Sequence, residues 1–79
     1  MLQNGLKLFM ADIIDENTNE QTFWYIVGKT YDSALKRFIK EANKTWHRYD
    51  YYFYEIEDDE TIESFIEEHK SIKADIYSK

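Results

Sequence analysis

Apolar and polar positions along the chain fall into five patterned segments, and each marks an element. The segment "LKLFMADIID" (6–15) is apolar with a β-compatible mix, and "TFWYIVG" (22–28) is rich in aromatic and β-branched residues. Both read as strands. The polar stretch "ENTNEQ" between them suits the turn of an antiparallel hairpin, and Gly28 ends the second strand. The pattern then shifts from two to between three and four. In "TYDSALKRFIKEANKTWH", Tyr31, Ala34, Leu35, Phe38, Ile39, Ala42 and Trp46 fall on one side of a helix that Thr30 or Asp32 would cap. Strand-like composition returns in "RYDYYFYEIE" (48–57). Last, "DDETIESFIEEHKSI" (58–72) places Ile62, Phe65, Ile66 and His69 on one helical face behind an Asp cap.

The predicted order is therefore β-β-α-β-α. Its simplest fold is an α+β two-layer sandwich, a three-stranded sheet with one or two helices packed on it. The connection from the second strand through the first helix to the third permits a crossover, for which right-handedness is the rule. Residues 1–79 form one domain, with 72–79 expected to fray unless Ile76 and Tyr77 dock.

Composition sharpens this picture. A 79-residue chain buries only about 60% of the surface it exposes when unfolded, so each large apolar side chain counts. Seven Tyr, five Phe and two Trp supply that burial, at roughly 150–250 Å² each. Without cysteine there is no disulfide framework, thiolate zinc site or cysteine nucleophile, and a cytoplasmic location is the simplest expectation. Lys7 and Asp12 interrupt the first apolar run, which argues against a signal peptide or membrane span.

Charge is unevenly spread. Residues 1–48 carry seven Lys/Arg against six Asp/Glu, whereas residues 49–79 carry three Lys against ten Asp/Glu, giving −6 overall. Such a field repels bare nucleic acid over most of the surface and attracts basic partners.

Candidate chemistry is sparse. His47 and His69 are the only imidazoles, no serine sits in a nucleophile elbow, and neither HExxH nor a glycine-rich phosphate loop is present. The expectation is a non-enzymatic protein without cofactor or metal. The acidic run lacks the glycine that a calcium loop bends around, and Asp58, Asp59 and Glu60 fit the start of a helix, where carboxylates meet free N–H groups.

Two surfaces remain. Along the first helix Lys36, Lys40, Lys44 and Arg48, joined by Arg37, form a basic stripe that would meet phosphates if the protein bound nucleic acid directly. In the third strand, "YDYYFYEIEDDE" (49–60) packs five rings and six carboxylates into twelve positions. Alternation divides it. Ile56 marks Tyr52 and Tyr54 as core, leaving Tyr49, Tyr51, Phe53, Glu55 and Glu57 on a face the first helix leaves open. With Asp58, Asp59, Glu63 and Glu67 these form the expected contact surface for a larger basic protein, rings giving area and carboxylates selecting charge.

The compact, cysteine-free, acidic chain resembles in general style the small inhibitor proteins of phages and other mobile elements, including anti-CRISPR proteins. The resemblance covers size, charge and the hairpin-helix-strand order, and no motif carries it. It implies a mechanism class: an acidic face occupying a basic nucleic-acid channel or a regulatory surface on a host protein. The alternatives are a small regulatory nucleic-acid binder using the basic stripe, and a self-associating domain that pairs through its aromatic face or head to tail as a homodimer.

Overall fold

The structure, a computed structural model, describes residues 2–79. A 3-10 turn at Gln3–Gly5 leads into β1 (Lys7–Asp15), followed by β2 (Gln21–Gly28), α1 (Tyr31–Thr45), β3 (Tyr49–Ile56), α2 (Asp59–Glu68) and β4 (Ile76–Ser78). The sheet has four strands in the order β3-β1-β2-β4, every neighbouring pair antiparallel. The α+β class stands. The three-stranded sheet expected from sequence gains a fourth strand, because Ile76–Ser78 pair with Trp24–Ile26 along the outer edge of β2. The segment expected to fray thus forms an edge, with Ile76 and Tyr77 both half-buried.

Local chemistry explains each boundary. Asp15 organises the hairpin: its carboxylate accepts from the Asn17 N–H (2.8 Å) and its carbonyl from the Asn19 N–H (2.7 Å), while Asn19 takes a positive φ of 64°. Thr30 caps α1, its hydroxyl accepting from the Ser33 N–H at 3.1 Å while Ser33 reaches back to the Thr30 N–H. Asp58 caps α2 through the Thr61 N–H at 2.6 Å. α2 stops at Glu68, four residues short of the expected end, and His69 serves as its C-cap.

β1 is an interior strand, buried on both sides. Its odd residues Phe9, Ala11 and Ile13 join Ile26, Phe53 and the α1 residues Ala34, Phe38 and Ala42 in one core. Its even residues Leu8 and Met10 join Tyr25, Val27, Ile56 and the α2 residues Ile62 and Phe65 in another. Successive strand residues face opposite sides, so the two helices cover opposite faces and the molecule has three layers rather than two. The unbroken apolar run "LFMA" is the mark of a strand covered on both faces.

Rings fill the α1 layer. Phe53 is stacked between Phe9 (5.4 Å between centroids) and Phe38 (5.7 Å), and Tyr31 meets Phe53 edge-on at 5.3 Å. Gly28 lets the start of α1 approach β2, since a Cβ there would lie 3.1 Å from the Ala34 Cβ. β2 and β3 both run antiparallel to β1, so the chain passes over β1 through α1 and places β3 on the far edge.

Candidate functional site

The sequence-expected contact strand is divided by the sheet in the opposite sense. Tyr49, Tyr51 and Phe53 face α1. Phe53 is only 6% exposed and is a core residue. Tyr49 is half-buried beside Trp46 and donates its hydroxyl to Asn43 Oδ1 at 2.8 Å. Tyr51 lies edge-on to Phe38 at the rim and is 44% exposed. Glu55, on the same side, is half-buried. The other face holds the surprise. Tyr52 and Tyr54, expected in the core, are 68% and 37% exposed, with ring centroids 5.2 Å apart.

Helix length and path cause this reversal. At 1.5 Å per residue, α1 spans about 22 Å and α2 about 15 Å, against about 26 Å for an eight-residue strand. α2 leaves β3 at Asp58 and crosses to the β2–β4 side, where Phe65 meets Tyr25 (5.1 Å) and Tyr77 (5.2 Å) edge-on. It covers Ile56 and stops there. Ile56 therefore marks a core face correctly, but that face is closed at one end only. Beyond it Ile14, Tyr52 and Tyr54 stand exposed, with Asp12 and Asp50 among them, and Gln21 Nε2 donates to Asp12 Oδ1 at 2.8 Å.

Where this open face meets the start of α2 there is a groove of about 390 Å³. Met10, Tyr25, Tyr54, Glu57, Asp58 and Lys79 are among the residues that line it. The Tyr54 hydroxyl donates to Met10 Sδ at 3.2 Å. Burial, then the charge of Glu68, then Tyr54 push the Tyr25 hydroxyl above its ordinary pKa, so it stays a neutral donor. The Thr61 hydrogen bonds hold the Asp58 carboxyl below its ordinary range, so it stays charged. Residues 57–68 carry seven carboxylates and no Lys or Arg. Of the expected acidic contacts, Glu57, Asp58, Asp59, Glu63 and Glu67 are all exposed on this side of the molecule.

The basic stripe occupies the opposite layer. Lys36, Lys40 and Lys44 are exposed on the outer side of α1. Arg37 leaves the stripe, its Nη1 donating to the Val27 carbonyl at 3.2 Å where α1 closes on β2. Arg48 lies beyond the end of α1 and approaches Glu16 at 3.7 Å, the one ion pair among the described residues. The sheet thus separates a cationic face from an anionic one.

Among the described residues no three His, Cys, Asp or Glu side chains gather where they would hold a metal, and no helix is long and apolar enough to cross a membrane. His69 is occupied in packing: its ring stacks on Phe65 at 4.2 Å and its Nδ1 lies 2.9 Å from the Phe65 carbonyl oxygen. No family model, curated protein or solved structure matches the chain.

Proposed function

We propose that the protein is a non-enzymatic binding module whose anionic, ring-bearing face captures a basic segment of a larger protein, in the manner of a phage-type inhibitor or modulator of a nucleic-acid-handling host protein. One observation carries this reading. The exposed rings Tyr52 and Tyr54 lie beside the groove at Glu57 and Asp58, under a helix that bears acids alone. Rings offer flat contact area and cation–π acceptance to Arg or Lys, and the carboxylates draw the same cations in. The contact set is Tyr52, Tyr54, Glu57, Asp58, Asp59, Glu63 and Glu67, in place of the strand residues turned toward α1.

The test starts from a partner recovered on the immobilised chain from its native host and then purified. Glu57→Lys with Asp58→Lys, and separately Tyr52→Ala with Tyr54→Ala, should each abolish binding of that partner in titration calorimetry. Lys36→Glu with Lys40→Glu should leave it intact. The reverse pattern would sink the proposal. It would also favour the second reading, in which the unpaired ridge Lys36, Lys40 and Lys44 binds phosphates, an affinity that must fall steeply with salt.

A further inference from the structure

Strand β3 is the open edge of the sheet, and its outward side is defined by the hydrogen bonds on its inward side. The Glu16 N–H donates to the Arg48 carbonyl at 3.0 Å, continuing the β1–β3 ladder in which Ile14 faces Asp50, Asp12 faces Tyr52 and Met10 faces Tyr54. Hydrogen-bonded and non-bonded pairs alternate in an antiparallel ladder. The even residues of β3 therefore bond β1. The backbone N–H and C=O groups of Tyr49, Tyr51, Phe53 and Glu55 point away from the sheet. Among the described residues only the Tyr31 hydroxyl reaches them, approaching the Phe53 carbonyl at 3.4 Å.

An edge of this length without a proline or a lysine, and without a covering element among the described residues, is unusual, because such edges recruit other strands. We infer that β3 pairs antiparallel with β3 of a second copy, with a two-fold axis at Tyr52, to make one continuous eight-stranded sheet. The register follows from the outward groups. Pairing Tyr51 with Phe53 and Tyr49 with Glu55 of the second copy satisfies all of them. It sets Tyr52 opposite itself as a non-bonded pair.

Charge supports a second copy as the occupant. In this register Asp50 faces Tyr54, Glu55 faces Tyr49 and Glu57 faces His47, so no two carboxylates are directly opposed. The strand is basic where it begins, at Arg48, and acidic where it ends, at Glu57 and Asp58. Antiparallel pairing brings each basic end to the other acidic end. The α2 helices, which carry five carboxylates and no Lys or Arg, stand over the β2–β4 side and away from the axis. A two-fold axis normal to the sheet keeps like faces together. The exposed Tyr52 and Tyr54 of both copies would then form one central aromatic patch, and both α1 helices would lie on the opposite side. This inference stands independently of the binding proposal, since it rests on backbone groups and not on the groove.

The natural absence of cysteine makes the test clean. In the proposed register the Cα atoms at position 52 lie about 4.5 Å apart, within disulfide range. Under mild oxidation the Tyr52→Cys chain should cross-link to a dimer nearly completely, and Ser78→Cys, on the other edge, should not. Light scattering of the native chain should return twice the 9.6 kDa protomer mass. Tyr52→Lys, which opposes two like charges at the axis, should halve that value with an unchanged far-ultraviolet circular dichroism spectrum. A native chain that scatters as a monomer would overturn the inference, as would a dimer that survives Tyr52→Lys, or thiols at 52 that couple no faster than those at 78.

Discussion

Replacing Phe53 by alanine tests the reversal of β3 directly. As a contact residue on an open face, Phe53 would tolerate truncation within about 0.5 kcal/mol. Its observed position predicts otherwise. The ring is 6% exposed, stacked on Phe9 at 5.4 Å and Phe38 at 5.7 Å, and met edge-on by Tyr31 at 5.3 Å. Truncating a buried Phe costs about 3–5 kcal/mol, part of it from ring pairs worth about 0.5–1.5 kcal/mol each beyond area. A 79-residue domain holds about 4–12 kcal/mol in total, so Phe53→Ala should remove about a quarter of its stability or more. Phe53→Leu, which keeps most of the volume, should cost roughly 1–2 kcal/mol. Trp24 and Trp46, 4.9 Å apart in the same layer, provide the fluorescence signal for urea titration. With a slope of about 1 kcal/mol per molar urea, the midpoint should fall by roughly 3–5 M. Tyr52→Ala, on the open half-face, should shift it by no more than about 0.5 M. The placement of β3 would be refuted if Phe53→Ala cost less than about 1 kcal/mol, or if Tyr52→Ala cost as much as Phe53→Ala.

Other consequences are simpler to check. Thr30→Ala should lose about 1 kcal/mol by removing the oxygen that accepts the Ser33 N–H, and Thr30→Asn should restore most of it in the same titration. Tyr77→Ala should cost about 2–4 kcal/mol and loosen β4, because its ring meets Phe65 and His69 and its hydroxyl accepts from the Lys73 N–H; rapid amide exchange at Val27, which donates to the Asp75 carbonyl, would report it. The depressed Asp58 carboxyl stabilises the fold above the ordinary Asp pKa, and that contribution disappears as pH falls through its lowered value. Asp58→Asn should remove the acid-side component from the stability profile. Burial raises the Tyr25 and Tyr49 hydroxyls, so the contribution runs the other way: it is complete below the ordinary tyrosine pKa and is lost as pH rises through the folded values. Followed by NMR, the Tyr25 hydroxyl should ionise above the ordinary tyrosine pKa.

Much of the fold is legible residue by residue because capping, turn formation and helical period are local. Thr30 and Asp58 start the helices where their side chains reach the backbone N–H groups at N3, and Asp15 closes the hairpin through bonds to Asn17 and Asn19. The end of α2 was less visible, since His69 continues the apolar period yet turns its ring onto Phe65 as the chain leaves the helix. β4 was hidden for a different reason. Three residues of mixed character become a strand only because the outer edge of β2 lies open and Tyr77 finds Phe65. The candidate site was half visible: the acids of 57–67 are exposed, while the rings that accompany them are Tyr52 and Tyr54 and not Tyr49, Tyr51 and Phe53.

Alternation in "YDYYFYEI" fixes which residues share a side, and that much follows from backbone geometry alone. It cannot fix which side is closed. Both faces of β3 carry rings of similar size, and one Ile is outweighed when the helix above it is short and crosses toward the far edge. The tertiary structure decided that question through three long-range facts: α1 packs against Phe9 and Phe53, α2 runs diagonally to Tyr77, and β4 takes the edge that leaves β3 bare. The sequence thus determined the three longer strands and the two helices, the two faces of β3 and the separation of charge. Only packing between distant segments determined which rings were buried and which were left in solvent beside the carboxylates.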